Sequence, residues 1–311
     1  MSTATQKTAV LYLAFGGADS VENCEPFIKN VLKGRPVTPE MVAKIRERYT
    51  LIGGHSPLLD ITRAQAKAVD AALRAQGFEY PWYVGMRYWH PFIKDTLTQM
   101  KADGIERAIG VIMTPFNTIA TASGYHIDVE TVEEELGGTL RVEFAREWHQ
   151  HPSFLKAVTS NMQAELNTFA DLKDVLVIFS IHSLPVTLLE GDPYEMQIYQ
   201  TAEKLMAKIP ADWKIGYQSK GGGPREWMGP ATEEVIDLAV KTGKKGVVVV
   251  PLGFAADHVE TLYDIDILFK NYAEAKGLVF RRSASLNTNE LMIKTLVDIV
   301  ARHTWQVKRF F

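Results

Sequence analysis

The stretch VLVIFSIHSLP, residues 175–185, decides the fold class. Its first five residues are apolar and mostly β-branched or aromatic, with no alternation between apolar and polar positions. That pattern is typical of a short strand buried on both faces, as in a parallel sheet covered by helices. The run ends at His182, just before Ser183 and Pro185. The stretch therefore predicts an α/β fold with an imidazole at the carboxyl end of a buried strand.

Similar apolar runs alternate with amphipathic segments along the chain. Predicted strands are 9–15, 80–86, 108–114, 141–145, 175–180, 214–219 and 246–254. Helical patterns cover residues 57–75, 92–103, 152–169, 232–242 and 259–275. This alternation predicts doubly wound parallel sheets with helices on both faces.

A faint internal duplication relates residues 82–116 to residues 213–254. Each segment reads as strand, loop, proline-started helix, glycine-containing turn and strand. The repeat predicts two similar α/β lobes with a cleft between them. Ligands of such folds lie at the carboxyl ends of the strands. The side chains expected there are Phe15, Tyr88, Phe116, His182, Ser219 and Phe254.

Composition excludes several classes of function. The chain has 311 residues, enough for about two domains, and its 34 basic and 37 acidic residues argue against a nucleic-acid partner. One cysteine, Cys24, excludes an internal disulfide and a cysteine-built metal site, which suits a reducing compartment. No signal-peptide pattern and no apolar run of about 20 residues occurs. We expect a cytoplasmic monomer without a membrane segment.

His182 has two interpretations. A lone histidine is more often a core residue hydrogen-bonded to backbone than a functional one. However, the segment FAADHVETLYDID, residues 254–266, also follows a buried strand. Its Glu260 and Asp264 are four residues apart and are predicted on one helix face, although such pairs usually form a solvated face. A histidine with carboxylates and no cysteine suits a divalent cation such as ferrous iron.

Two neighbours of this carboxylate pair have more ordinary roles. Asp257 is predicted to cap the helix that carries Glu260. His258 is two residues from Glu260, so we expect it to point elsewhere and to be structural.

Aromatic residues and one glycine-rich segment suggest a binding surface. The segment KGGGPREWMGP, residues 220–230, lacks the ending of a phosphate-binding loop and is interpreted as a mobile loop carrying Trp227. Each aromatic residue alone is most simply explained by packing, but as a set at strand ends they would form a flat apolar slot. The set comprises Phe15, Trp82, Tyr88, Trp89 and Trp227. Hydrolase, zinc-protease and dinucleotide-binding motifs do not occur.

With these motifs in order, the chain resembles the ferrochelatases, which insert ferrous iron into a porphyrin during haem synthesis. The resemblance covers nearly the full length. It is carried by RERYTLIGGHSPLLDIT (46–62), GMRYWHPF (85–92), FSIHSLP (179–185), GYQSKGGGPREWMGP (216–230) and GFAADHVETLYDID (253–266).

The resemblance implies two Rossmann-like lobes flanking a porphyrin cleft. The first lobe would comprise residues 8–152, with a C-terminal helix at 287–306 packing back on it, and the second residues 153–286. Fe²⁺ is then a substrate, and no cofactor is bound permanently. The implied catalytic pair is His182 and Glu260. Implied metal contacts are His182, Glu260 and Asp264, and implied porphyrin contacts are Phe15, Arg35, Arg48, Ser56, Tyr88 and Trp227.

Two departures from the family pattern bear on substrate and metal supply. Phe15 stands where short relatives often have a tyrosine, so that position offers no oxygen ligand. The four-residue spacing of Glu260 and Asp264 would continue at position 268, which is Leu268 rather than an acid. The motifs favour coproporphyrin III as substrate and leave protoporphyrin IX open. Rival interpretations are a porphyrin or metal carrier without turnover and a cobalt chelatase of related fold.

Overall fold

The computed structural model describes residues 7–116, 118, 122–222 and 225–308, with side chains described as far as 303. The chain divides into two compact units, and each is described by itself. The first unit contains the described residues of Met1–Thr114, Thr121–Trp148 and Asn287–Phe311. The second unit contains those of Pro115–Ala120 and His149–Leu286. The boundary thus precedes the predicted one, after residue 152, and the second unit also takes Pro115, Phe116 and Thr118.

The first unit is built on a four-stranded parallel sheet of order β2-β1-β3-β4. Its strands are β1 (Thr8–Ala14), β2 (Trp82–Met86), β3 (Arg107–Ile112) and β4 (Arg141–Phe144). The helices are α1 (Cys24–Leu32), α2 (Pro39–Leu51), α3 (Leu58–Arg74), α4 (Ile93–Ala102), α5 (Ala122–Glu135) and, at the end of the chain, α10 (Glu290–Lys308).

The second unit has a parallel sheet of the same topology, with order β6-β5-β7-β8. Its strands are β5 (Val175–His182), β6 (Asp212–Gln218), β7 (Gly246–Pro251) and β8 (Val279–Arg282). The helices are α6 (Pro152–Leu166), α7 (Tyr194–Met206), α8 (Thr232–Lys241), a π-helix (Glu260–Phe269) and α9 (Lys270–Ala275). Two 3₁₀ turns cover Leu172–Asp174 and Val186–Leu188.

Burial of the central strands explains their apolar sequences. Every residue of β7 is buried, and so is every residue of β5 before His182. A strand covered on both faces has no position that favours a polar side chain, because an unpaired polar group there would lose its hydration. The predicted fold class, two doubly wound parallel α/β lobes, is confirmed. The cleft between the lobes stays a prediction.

The duplication is visible in the hydrogen bonds that lead from β2 and β6 into the following helices. The Met86 N–H donates to the Pro91 carbonyl at 2.7 Å, and the Tyr217 N–H donates to the Pro230 carbonyl at 2.9 Å. Each residue also forms a parallel bridge to the residue that precedes its helix. Met86 and Tyr217 are therefore equivalent positions of the two units.

Helices α1, α2, α5 and α7 and strand β8 were not predicted, and one predicted helix takes a different form. Strand β8 was not predicted, because a four-residue edge strand with two arginines (VFRR) lacks the apolar run that marks the other strands. The segment predicted as one amphipathic helix over 259–275 is instead a π-helix followed by the short helix α9. Apolar spacing does not distinguish π from α register, because both place residues four apart on nearly the same face.

Helix α10 packs against α3 and β3 within the first unit. The side-chain amide of Gln65 on α3 donates to the Asn287 carbonyl just before α10, at 2.7 Å. Buried residues of the helix include Met292, Leu296 and Val300. No helix among the described residues is long and apolar enough to cross a membrane.

The first prediction concerns His126 on α5, whose ring stacks on Phe144 of β4 with centroids 3.8 Å apart. Burial lowers the pKa of His126 from its ordinary 6.5, with Glu130 opposing. Below that pH the unfolded state takes up a proton that the folded state resists, so this contribution to stability is lost as the pH falls. We expect the free energy of unfolding to decrease between about pH 7.5 and about pH 5.

The matched variant is His126→Phe, which keeps an aromatic ring at this position and removes the titrating group. Its free energy of unfolding, measured by urea denaturation, should fall less over the same pH interval than that of the native chain. Equal pH dependence of the two proteins would contradict the prediction.

Candidate functional site

His182 is the last residue of β5, at the carboxyl edge of the second sheet. Its Nδ1 lies 2.6 Å from the Ser183 carbonyl oxygen. Because a carbonyl only accepts hydrogen bonds, Nδ1 carries the proton and the neutral ring has its lone pair on Nε2. The His182 carbonyl in turn accepts from the Tyr194 hydroxyl at 3.2 Å. The strand end and these two contacts therefore present a basic Nε2 in a fixed orientation.

Glu260, the first residue of the π-helix, lies beside this ring. Its Oε1 is 3.6 Å from His182 Nε2, and its Oε2 is 3.7 Å from His258 Nε2. His258 Nδ1 is 3.2 Å from the Ala256 carbonyl, so its Nε2 also bears the lone pair in the neutral ring. Two imidazole lone pairs and a carboxylate thus converge, an arrangement that attracts a proton or a cation.

The expectation that His258 points away from Glu260 is wrong. Helical spacing was the basis of that expectation, but His258 precedes the helix and has an irregular backbone. Its ring therefore turns toward the carboxylate. Asp257 is not the helix cap either. Its carboxylate accepts a hydrogen bond from the Thr261 hydroxyl and contacts the Arg282 guanidinium. The capping residue is Val259, which forms no side-chain cap hydrogen bond.

Asp264 lies one turn beyond Glu260 and is buried. Its Oδ2 accepts from the Ser219 hydroxyl at 2.7 Å, so the carboxylate is held against the end of β6. Ser219 has a positive φ of 57°, which is uncommon for a residue with a side chain and is often found at functional sites. Leu268, one turn further, is exposed and ends the acidic series, as the sequence indicated.

Sequence reasoning missed Gln218, the last residue of β6. It is buried, and its amide nitrogen donates to the Glu260 carbonyl at 3.2 Å, while the Ser180 hydroxyl donates to its amide oxygen. It therefore ties the π-helix to the central strand. A glutamine at the end of an amphipathic strand has no distinctive sequence pattern, so only its pairing opposite His182 could have suggested a role.

In the first unit, Phe15 occupies the position that corresponds to His182. The strand pairs that define this correspondence are Ala14 with Met86 and Ile181 with Tyr217. Because Met86 and Tyr217 are equivalent, the residues that follow Ala14 and Ile181 are equivalent too. At this position the first unit therefore has an apolar ring directly after its central strand, and the second has a basic ring on the last residue of its central strand.

Phe15 is 43% exposed and contacts Tyr88, with ring centroids 4.6 Å apart. The Arg87 guanidinium and the Lys33 ammonium both lie over the Tyr88 ring, at 5.1 and 5.7 Å. Burial raises the pKa of Tyr88 above its usual value, with Arg87 and Arg35 opposing. The structure thus brings Phe15, Tyr88 and a group of cations together at the carboxyl ends of the strands of the first sheet.

The other predicted porphyrin contacts occupy different positions. Arg35 is exposed just after α1, and Arg48 is half-buried on α2. Ser56 is buried before α3, where its side chain lies so close to Gly17 that any Cβ there would collide with it. Trp227 belongs to the second unit and packs against Gly221.

Among the residues that the structure describes, no group of three or more His, Cys, Asp and Glu side chains is arranged to hold a metal ion. The His182–Glu260–His258 cluster brings three such side chains together, with nitrogen–oxygen distances of 3.6 and 3.7 Å, without meeting that arrangement.

Comparison with known proteins gives the family to which the chain is similar. A sequence model described as Ferrochelatase matches residues 7–304. The chain is 36% identical over 300 residues to the ferrochelatase of Herpetosiphon aurantiacus, covering 94% of this chain and 98% of that protein. It is 33% identical over 315 residues to the ferrochelatase of Deinococcus radiodurans, covering 99% and 100%.

The chain belongs to the ferrochelatase family. Ferrochelatases insert a metal ion into a porphyrin, and the prediction of an enzyme of this class, a lyase that forms metal–nitrogen bonds, is confirmed at the level of the family. Because the family match extends over both units, both belong to the ferrochelatase fold.

Two solved structures have a similar fold. SirB from Bacillus subtilis with Fe³⁺ has a TM-score of 0.57 at 12% identity, covering 95% of each chain. CbiX, described as the terminal enzyme of sirohaem biosynthesis in denitrifying bacteria, has a TM-score of 0.53 at 12% identity, covering 94% of this chain and 98% of that one. At this identity the likeness supports the fold alone.

The second prediction is that neutral His182 is protonated at Nδ1. The Ser183 carbonyl requires a donor there, so ¹⁵N NMR of the neutral ring should show a protonated Nδ1 and an unprotonated Nε2. His182→Gln removes the resonance and assigns it. A neutral ring protonated at Nε2 would contradict the geometry described above.

Proposed function

We propose that this ferrochelatase-family chain inserts ferrous iron into a porphyrin, with coproporphyrin III preferred over protoporphyrin IX, in haem biosynthesis. The observation that carries the proposal is the Glu260 carboxylate between the Nε2 atoms of His182 and His258. The family match supports metal insertion in general, and the identities of the metal and of the porphyrin are part of the proposal. The cytoplasm remains the expected compartment.

The reaction exchanges two pyrrole protons for one divalent ion. The porphyrin loses its two N–H protons, the ion loses its water ligands, and four nitrogen lone pairs bind the metal. A general base whose pKa lies near neutral pH must therefore lie next to the ring nitrogens. His182 has its Nε2 lone pair available, and Glu260 stabilises the imidazolium that forms when Nε2 takes a proton.

Glu260 also offers a route by which the proton leaves. Its second oxygen faces His258, so a proton on His182 has a carboxylate and a further imidazole as successive acceptors. Neutral His182 can then accept the second pyrrole proton. This role requires the charge of Glu260, because an amide of the same shape neither stabilises an imidazolium nor accepts its proton.

The macrocycle needs an apolar surface as well as a base. A flat porphyrin holds its lone pairs in the ring plane, where an incoming ion reaches them poorly, so binding energy used to bend the ring lowers the barrier. We assign contact with the macrocycle to the exposed ring of Phe15 and the half-buried ring of Tyr88 beside it. The exposed Lys33 and Arg35 side chains are suited to carboxylate substituents of a porphyrin, whereas Arg87 is paired with Asp128 at 2.6 Å.

One assay tests the function. Purified protein is mixed with coproporphyrin III or protoporphyrin IX and with Fe²⁺, Co²⁺ or Zn²⁺, and absorption bands are followed under anaerobic conditions. The proposal expects catalytic turnover with Fe²⁺ and a higher kcat/KM for coproporphyrin III. Binding without turnover would favour a carrier, and turnover restricted to Co²⁺ would favour a cobalt chelatase. A preference for protoporphyrin IX would overturn the substrate assignment.

The third prediction concerns the paired side chains. His182→Ala should lower kcat at least about 100-fold, the scale of a general base, while porphyrin binding survives because apolar contacts dominate it. Glu260→Gln keeps the shape, removes the charge and should lower kcat at least about tenfold.

The control variant is His303→Ala, which breaks another His–Glu pair, with Nε2 3.1 Å from Glu143 Oε2 in the first unit. Its kcat should match that of the native chain. Near-native turnover of His182→Ala would refute the central assignment.

The fourth prediction concerns Phe15. Phe15→Ala should weaken porphyrin binding by about 1–3 kcal/mol, or roughly 5- to 150-fold in Kd, because a buried aromatic contact is lost. Phe15→Tyr should bind and turn over nearly as the native chain does, since it keeps the ring. Ile127→Ala removes another exposed apolar side chain, on α5, and serves as the control. Unchanged porphyrin quenching of tryptophan fluorescence in Phe15→Ala would count against the contact.

A further inference from the structure

The π-helix requires contacts outside itself. π-Helical register is rare and is mostly limited to single turns, yet here it continues over Glu260–Phe269. Relaxation to α register would change the rotation of each residue about the axis and turn the Glu260 side chain. The position of Glu260 beside His182 therefore depends on whatever maintains the register.

Arg282 at the end of β8 contacts this region at two points. Its guanidinium Nη2 donates to Asp257 Oδ1, three residues before the helix, and its Nη1 lies 3.4 Å from Asp266 Oδ2, inside the helix. The same Nη2 is 2.6 Å from the Ser285 hydroxyl, which donates to Asp257 Oδ1 at 2.6 Å. One planar cation thus joins the approach to the helix with its middle.

A chain of hydrogen bonds continues from Asp257 to the histidine beside the site. The Thr261 hydroxyl donates to Asp257 Oδ1 at 3.0 Å. The His258 backbone N–H donates to the Thr261 hydroxyl oxygen at 3.0 Å. The Arg282 contacts therefore determine the backbone on both sides of Glu260, at residues 258 and 261.

The side chains that form these contacts are largely buried. The side chains of Arg282 and Asp257 are only 16% and 17% exposed. Burial raises the pKa of Asp266, and the Arg282 guanidinium opposes that shift. Ion pairs in such surroundings are costly to break, because the remaining charge loses its partner without regaining full hydration.

We propose that Arg282 is a positioning residue for metal insertion: it clamps the π-helix through Asp257 and Asp266 and thereby keeps Glu260 against His182. The inference rests on the proposed function of that pair. Arg282 itself contacts neither His182 nor Glu260 in the described contacts, and it acts through the helix.

The test compares Arg282→Met and Arg282→Lys with Arg281→Met. Arg281 is the adjacent, exposed arginine of the same strand and donates to the Phe280 carbonyl. Arg282→Met should lower kcat at least about tenfold, the scale expected when a reacting group is misplaced, with KM for the porphyrin within about twofold. Arg282→Lys keeps the positive charge but lacks the planar guanidinium that reaches two carboxylates, so it should retain part of the kcat that Arg282→Met loses. Arg281→Met should behave as the native chain.

Amide hydrogen exchange of residues 258–269 supplies a readout independent of turnover. Exchange should be faster in Arg282→Met than in Arg281→Met, measured well below the melting temperature of both. Asp266→Asn removes one of the two contacts and should give an intermediate loss of kcat, which keeps the test open if Arg282→Met does not fold.

The outcomes separate the two proposals. A lower melting temperature with native kcat in Arg282→Met would leave Arg282 a purely structural role and overturn the clamp, while His182→Ala could still abolish turnover. Unchanged exchange in residues 258–269 would also overturn it. A native chain without insertion activity would instead refute the proposed function, and faster exchange in Arg282→Met would still support the clamp.

Discussion

The arrangement of the second unit depends on one carboxylate, that of Glu260, held between two imidazoles. A partly buried carboxylate is stable only with partners that compensate its lost hydration. Each neighbouring ring, His182 and His258, is oriented by a backbone carbonyl at its other nitrogen, so the neutral rings turn lone pairs toward the carboxylate and become its partners once a proton or a cation is shared between them. The orientation leaves basic nitrogens toward the carboxylate, so the cluster is ready to accept protons. In the proposed reaction, turnover and proton release use the same three side chains.

Keeping Glu260 in place imposes constraints on the surrounding structure. Gln218 holds its carbonyl, Ser219 holds Asp264 one turn on, and Arg282 holds the approach and the middle of the π-helix. These contacts come from β6 and β8, the two edge strands of the sheet. In the proposed mechanism, the central strand supplies the base, and the edge strands hold Glu260 beside it.

The two units show how one topology supports different chemistry. Both sheets have the same strand order, and their registers define an equivalent position at the carboxyl ends of the two central strands. At that position the first unit has Phe15 and the second has His182. The backbone determines where a side chain is presented, and the residue type determines whether the position binds an apolar surface or accepts a proton.

The sequence by itself determined the fold class, seven of the eight strands found among the described residues, and two side chains, His182 and Glu260, that the structure brings together. Apolar runs such as 175–179 report burial directly, because burial on both faces excludes polar residues, and five motifs in family order identified His182 and Glu260. Tertiary structure alone decided the π register, the edge strand β8, the inward turn of His258 and the roles of Gln218 and Arg282. These features arise from contacts between residues distant in the chain, such as Arg282 with Asp257, and no local periodicity encodes such contacts.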